Sequence, residues 1–261
     1  MTDGGLDGKV VVVTGATSGV GEAVARLAAE RGAAGLVVAG RSRERGAGLV
    51  ADLERAGSAS AFVAADLEDP ESCRALVQAC QSRFGRIDGL VNAAGCTDRG
   101  GILDCDLATW ARLFAVNARA PFLLMQEAAR HMKDAGRGGS IVNIITMSSH
   151  GGQPFLTAYA ASKGALAVMT RNVAHSLRAD RIRVNGLNIG WTDTPHEHDI
   201  QTRFHGRAAD WLEHAEREQP FGRLIKPIEV ARLTCFLLSD DSGVMTGALI
   251  DHDQNVVGAY D

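Results

Sequence analysis

Lysine and tyrosine are scarce in this chain. Of 27 basic side chains only four are lysines, Lys9, Lys133, Lys163 and Lys226, and the only tyrosines are Tyr159 and Tyr260. Cysteine is also sparse. The five present, Cys73, Cys80, Cys96, Cys105 and Cys235, are odd in number and never spaced Cys-x-x-Cys, which argues against a disulfide framework and a zinc site and fits a reducing cytoplasm. Nowhere do five like charges follow one another, and the net charge is −4, so neither a nucleic-acid footprint nor a polybasic membrane patch is expected. No run of eighteen apolar residues occurs, and Met1 to Gly8 is polar and acidic, so neither a membrane span nor a signal segment is expected. These exclusions leave a small molecule, or another subunit, as the partner.

What is present is a composition that folds. With 46% hydrophobic and 22% charged residues the chain can bury a sizeable core, and disorder is excluded. From Lys9 onward, short β-branched runs alternate with longer amphipathic stretches rich in Ala, Arg and Glu, the pattern of βαβ units around a mostly parallel sheet. The pattern predicts strands at Lys9–Thr14, Leu36–Gly40, Ser60–Ala64, Asp88–Asn92, Ser140–Thr146, Arg181–Leu187 and Ala248–His252. Runs such as VVVV and IVNII are nearly continuous in apolar residues because a parallel strand is covered on both faces. Helices are predicted near Gly19–Arg31, Ser42–Ala56, Pro70–Phe84, Leu107–Lys133, Ala158–Ala179 and Pro227–Leu238. No repeat or linker divides the chain, so residues 1–261 are expected to form one domain. Only 191–220 breaks the rhythm. Rich in His, Trp, Arg and acids, it follows a strand end, where open α/β sheets bind their ligands, and it reads as a substrate lid.

The first strand runs into Thr14-Gly15-Ala16-Thr17-Ser18-Gly19-Val20-Gly21, and a helix follows at once. Glycines here let backbone N–H groups approach a pyrophosphate, and the helix N-terminus adds partial positive charge. The second strand ends in Gly40-Arg41-Ser42, where an acidic residue would bind the adenosine ribose hydroxyls and repel a 2′-phosphate. Arg41 can instead pair with that phosphate, so NADP(H) is preferred and NAD(H) remains possible. Asp66 and Leu67, past the third strand, and Asn92, Ala93 and Gly95, past the fourth, belong to the same sheet edge and are candidates for contact with adenine and ribose.

Tyr159 and Lys163 stand four residues apart near a helix start, on one helical face. A free phenol titrates near pH 10; an adjacent ammonium is expected to lower that value and make Tyr159 a proton donor or acceptor at a carbonyl or alcohol oxygen. Thirteen residues before Tyr159 lies Thr146, whose hydroxyl can hold the substrate oxygen, with Ser148 the fallback. Asn117, inside the long predicted helix 107–133, is unfavourable there unless a water or backbone contact uses its amide.

Together TGATSGVG at 14–21, NAAG at 92–95, Asn117, YAASK at 159–163, Arg183-Val184-Asn185, the stretch Pro220 to Arg223 and Thr246-Gly247 resemble the short-chain dehydrogenase/reductase family, in order and spacing, over almost the whole chain. The resemblance implies an α/β, Rossmann-like doubly wound fold with a seven-stranded parallel sheet and helices on both faces. It implies a catalytic tetrad of Asn117, Thr146, Tyr159 and Lys163. Tyr159 and Lys163 also belong to the implied cofactor set, with Gly190, Thr192 and Thr194, and Lys163 with Asn117 is implied to hold a proton-relaying water. Three positions depart from the family pattern. Thr146 replaces a serine, Ile189-Gly190 replaces Pro-Gly, and Asp253-Gln254-Asn255 replaces Asp-Gly-Gly, which puts polar side chains at a subunit edge or pocket wall.

Ser148, His150, Gln153 and Trp191 are the candidate substrate contacts, with Asn188, His196, His198, Arg203, His205, Trp211 and Gln254 nearby. Such a hydrogen-bond-rich set favours a polar, even polyhydroxylated, ketone or alcohol. His196-Glu197-His198-Asp199 lacks a third anchored ligand and is assigned no metal. Two alternatives to a carbonyl/alcohol oxidoreductase stand: a cofactor-sensing protein on the same fold, and a nucleotide-sugar epimerase or dehydratase, for which 261 residues leave little room. The helices 107–133 and 158–179 are apolar around more of their circumference than one sheet face covers, which predicts burial against another subunit. The resemblance implies a homotetramer or homodimer.

Overall fold

The computed structural model describes residues 5–208 and 210–258. Tyr260 and the first four residues of the N-terminal segment lie outside the described residues. In chain order the elements are β1 (Val10–Thr14), α1 (Gly19–Glu30), β2 (Gly35–Gly40), α2 (Arg43–Arg55), β3 (Ala59–Ala64), α3 (Pro70–Phe84), β4 (Gly89–Asn92) and α4 (Leu107–Phe114). Then follow α5 (Ala120–Ala135), β5 (Gly139–Ile144), α6 (Thr157–Leu177), β6 (Ile182–Ile189), α7 (Pro195–Asp199), α8 (Trp211–Arg217), α9 (Pro227–Leu238) and β7 (Leu249–His252).

Local chemistry sets these boundaries. Helix α3 starts where the Asp69 carboxylate accepts the amides of Glu71 and Ser72, with Pro70 next to it, and stops at Gly85 in the left-handed region (φ 67°). Ser42 caps α2 by accepting from Arg45 N at 3.3 Å. All five residues of β1 are buried, as its unbroken valines require.

The seven strands pair in parallel in the order β3-β2-β1-β4-β5-β6-β7. One apolar core, built on Val11, Val24, Leu36, Leu53, Val142 and Leu237, packs α1, α2 and α9 on one face. A second, built on Val12, Val37, Leu76, Leu124, Ile141 and Leu166, packs α3, α5 and α6 on the other. Strand order reverses between β1 and β4, and the register there sets Thr14 beside Asn92 and Asn92 beside Asn143 at the carboxyl ends. A crevice opens at that reversal.

Two expectations are corrected. The predicted helix 107–133 is two helices separated by a π turn, Ala115–Arg119, with Asn117 in its middle. The wide turn re-aims the Asn117 amide across the site, which a regular helix would not allow. Strand β5 ends at Ile144, so Thr146 does not close the strand; it caps the 3₁₀ turn Met147–His150 by accepting from Ser148 N at 3.2 Å.

Candidate active site

The loop after β1 is a cradle only glycine can form. Gly15 sits at φ 65°, and a Cβ on it would lie 2.7 Å from the Ala94 Cα; one on Gly21 would lie 2.4 Å from the Gly15 carbonyl oxygen. Gly19 (φ 61°) faces the methyl of Thr194, so the start of the lid segment lies against this loop. Thr17 packs on Gly40 and brings the loop to the end of β2, where Arg41 is exposed. Ser18 makes no side-chain cap, which leaves the first amides of α1 free, while Val20 is buried beneath them. The loop after β4 is pinned from below: Thr14 Oγ1 accepts from Ala93 N and Ala94 N at 3.1 and 3.2 Å. Asn92 donates to Asn143 Oδ1 at 2.8 Å, and its own buried Oδ1 has no partner. Asp66 is exposed and Leu67 half-buried at the end of β3. Gly190, whose Cβ would strike the Asp253 carboxylate, and Thr192, donating to Gly190 O at 2.9 Å, lead into the lid. A glycine cradle, free helix amides and an orphaned acceptor along one crevice fit an elongated dinucleotide.

Beyond this crevice four side chains converge, each at least nine-tenths buried: Asn117, Thr146, Tyr159 and Lys163. Asn117 Oδ1 accepts from Cys96 N at 2.9 Å, and its Nδ2 donates to Cys96 O at 2.9 Å and Ser162 Oγ at 3.0 Å. The π turn therefore clamps the β4 loop to α6, the backbone contact expected of an amide in that place. Lys163 Nζ donates to Ile144 O at 2.9 Å. A Cβ on Gly95 would lie 3.4 Å from Lys163 Nζ and 3.5 Å from Asn117 Oδ1, so the three share one spot.

Burial dominates the titration of this group. It pushes the Tyr159 phenol up to about 12, and the Thr146 hydroxyl and the Arg99 charge oppose that rise while Glu197 and Cys96 add to it. It also pushes the Lys163 ammonium down to about 8. The expected lowering of the phenol by Lys163 is thus corrected: desolvation outweighs charge here, and the ammonium is spent on the Ile144 carbonyl. Tyr159 is consequently held as a phenol, the donor form, throughout the neutral range.

The other candidates divide. Thr146 Oγ1 and Ser148 Oγ are 3.4 Å apart, and Ser148 donates to Gln153 Oε1 at 2.6 Å, so Thr146, Ser148 and Gln153 form a hydroxyl chain leading outward from Tyr159. His150 is drawn off this chain. Its Nε2 lies 3.0 Å from Asp251 Oδ1, which also accepts from Asn188 Nδ2 at 2.7 Å, and together they line a separate cavity of about 650 Å³ with Arg171 and Leu249.

The lid is less irregular than expected, since it forms α7, a π turn (Ile200–Phe204) and α8. Thr194 caps α7 by accepting from Glu197 N at 3.2 Å. Trp191 donates its indole N–H to Glu197 Oε1 at 2.8 Å and stacks on Trp211 at 6.2 Å. His196 meets Thr97 Oγ1 at 3.2 Å, His198 meets Asp193 at 2.8 Å and Arg203 pairs with Asp199 at 3.4 Å. These lid residues therefore diverge to separate partners. Gln254 accepts from Phe221 N at 2.9 Å and donates to Arg223 O at 2.6 Å, tying down the turn behind the lid.

Thr97, Arg99, Phe155 and Glu197 were missed from sequence. The Arg99 guanidinium lies over the Phe155 ring at 5.6 Å, and both stand close to Tyr159 because Gly100 N donates to Phe155 O at 3.0 Å. Nothing local marks Arg99, since the side chains it meets, Phe155 and His205, come from stretches more than fifty residues away.

This fold and site define a nicotinamide-dependent oxidoreductase, and comparison with known proteins makes the class specific. Residues 15–254 match the family model described as "Enoyl-(Acyl carrier protein) reductase". The chain is 37% identical over 246 residues to a cis-4-hydroxycyclohexanecarboxylate dehydrogenase of Sinomonas cyclohexanicum, covering 94% of this chain and 95% of that one. It is 35% identical to a 3-oxoacyl-[acyl-carrier-protein] reductase of Thermotoga maritima, covering 97% and 99%. A putative short-chain alcohol dehydrogenase from Sinorhizobium meliloti superposes with a TM-score of 0.88 at 32% identity, covering 98% of both chains. The chain belongs to the short-chain dehydrogenase/reductase family, enzymes that act on CH–OH groups with NAD(P) as acceptor.

Proposed function

We propose that this protein interconverts a carbonyl and a secondary alcohol on a polar small molecule with NADP(H). The observation that carries this reading is the convergence of Tyr159, Thr146, Lys163 and Asn117 beside the glycine cradle. When bound, the nicotinamide supplies or accepts the hydride. In the reducing direction Tyr159 Oη gives its proton to the carbonyl oxygen, a role its retained phenol proton supports. Thr146 Oγ1 holds that oxygen against the phenol, with Ser148 passing the contact on to Gln153. Lys163 binds ribose hydroxyls near Gly95, and Asn117 fixes the loop that positions it. Gly15, Ser18, Gly19 and Gly21 would hold the pyrophosphate, and Asp66, Leu67 and Asn92 the adenosine end. Gly190, Thr192 and Thr194 close over the nicotinamide end, and Trp191 borders the substrate.

Arg41, exposed beside Ser42 at the end of β2, supports the preference for a 2′-phosphate. In the test, kcat/KM with NADPH exceeds that with NADH, and Arg41→Ala lowers the NADPH value on the order of tenfold or more while sparing NADH. A native enzyme that prefers NADH overturns the assignment. A panel of cyclic and acyclic polar ketones and alcohols tests the substrate reading, and turnover of apolar ketones alone overturns it. The relative named for a hydroxycyclohexanecarboxylate supports a compact ring alcohol as the first compound on that panel.

The whole chain acts as one unit with 191–220 as its lid, in a homotetramer or homodimer. A groove of about 270 Å³ between α5 and α6, bordered by the half-exposed Phe122, supports assembly through these helices. Light scattering showing a clean monomer overturns it. Five free thiols support a cytoplasmic location, and among the described residues no helix is long and apolar enough to cross a membrane.

A further inference from the structure

Resting on that reading, we infer that the substrate carries a carboxylate, and that Arg99 is the residue that holds it. Four observations converge. Arg99 is half-buried, and among the described residues no acid pairs with it, whereas neighbouring Asp98 is taken by Arg112 at 3.1 Å and Asp193 by Lys226 at 2.9 Å. A cation that is partly withdrawn from water and lacks a counter-ion calls for an anion.

The second observation is orientation. The guanidinium sits over the Phe155 ring at 5.6 Å, and two hydrogen bonds orient it: Nε donates to His205 Nε2 at 3.4 Å and Nη1 donates to Thr97 O at 3.2 Å. Nη2 has no partner among the described residues, and the guanidinium's N–H edge is a fork whose shape matches a carboxylate. Thirdly, Arg99 is three residues beyond Cys96, which packs against Tyr159, and it acts electrostatically on the Tyr159 phenol. It therefore lies on the loop beside the reacting oxygen. Finally, Glu197 confronts the same phenol from the lid, anchored by Trp191 and Gln201. Its charge repels an anion from that side, so a monocarboxylate enters in one orientation: carboxylate at Arg99, carbonyl at Tyr159 and Thr146. The ligand class is an oxo acid or hydroxy acid whose carboxylate is separated from the reacting carbon by the ring or chain between.

Binding tests this apart from turnover. Calorimetry of the enzyme with NADPH present uses cyclohexanecarboxylate and cyclohexanecarboxamide, a pair matched in shape and different in charge. The acid is expected to bind on the order of tenfold more tightly than the amide, and Arg99→Gln to bring the ratio close to one. Arg99→Lys, which keeps the charge and loses the fork, is expected to restore part of the preference. Equal binding of acid and amide by the native enzyme, or a ratio unchanged in Arg99→Gln, overturns the proposal. The broader reading fails separately: it falls if no polar ketone on the panel is reduced, whatever these ligands show.

Discussion

The two walls of the site are built differently. On the sheet side, Asn117, Thr146, Tyr159 and Lys163 are nearly inaccessible, and three of them are tied to backbone groups: Asn117 to Cys96, Thr146 to Ser148 N, Lys163 to Ile144. On the lid side, the ties are exposed or half-exposed ion pairs and imidazole contacts, such as Lys226 with Asp193 and Glu216 and Arg203 with Asp199. Pairs of that kind contribute about 0–1 kcal/mol each, because water competes for both charges. On the proposed function, the reaction type is set in the inner wall and the choice of substrate in the outer one, where polar surface contacts overlie a small apolar cluster of Trp211, Ala215 and Leu224.

Substitutions on the two walls should separate these roles. The largest effect is expected from Tyr159→Phe, which removes the proton donor: kcat falls on the order of 10³- to 10⁴-fold, while NADPH binding followed by fluorescence persists. If turnover survives, the proton comes from elsewhere. Thr146→Ala should lower kcat/KM by about 100-fold, as expected for losing a group that orients the reacting oxygen. Ser148→Ala should cost only a few-fold, since Ser148 touches Gln153 and acts through Thr146. The reverse order of these two would move the orienting role to Ser148.

The third prediction concerns alkaline stability. Burial pushes Cys73 and Cys96 up to about 11 and Cys80 and Cys235 up to about 12, from an ordinary value of 9.0. Above pH 9 the unfolded thiols lose protons that the folded ones keep, so stability falls as pH rises from 9 toward 11–12. Each thiol contributes a slope of about 1.4 kcal/mol per pH unit in that window. Cys80→Ala and Cys235→Ala should each flatten the pH dependence of urea unfolding by about that amount. The lid contains no cysteine, so proteolysis within 191–220 should lack this dependence.

The smallest effect is expected from Lys226→Met, which cuts the link between the start and end of the lid. Substrate KM should rise about two- to five-fold, kcat should hold, and stability should change by no more than about 1 kcal/mol. A fall in kcat comparable to that of Thr146→Ala would show that the lid, too, positions the reacting groups.

The inner wall was the legible one. Strand positions were readable because valine and isoleucine runs report burial on both faces, and Tyr159 with Lys163 because a helix brings residues four apart onto one face. The π turn at Asn117 was not, since α4, the turn and α5 read as one apolar helix and only the pull of Cys96 opens the extra residue. The lid contacts were illegible for another reason. Arg99 meets His205 across 106 positions, and Thr97 meets His196 across 99, so no spacing rule links them. The pairing of His150 with Asp251, 101 positions away, was illegible for the same reason.

The two histidine contacts that fasten the lid to the β4 loop are slight. Thr97 with His196 spans 3.2 Å and Arg99 with His205 spans 3.4 Å, the latter near the limit of a useful hydrogen bond. At about 0.5–1.5 kcal/mol apiece, such fastenings add little to the position of the segment they touch. What closes the mouth is therefore the apolar plug of Trp211, Ala215 and Leu224 beneath the segment, and the histidines act as trim on it.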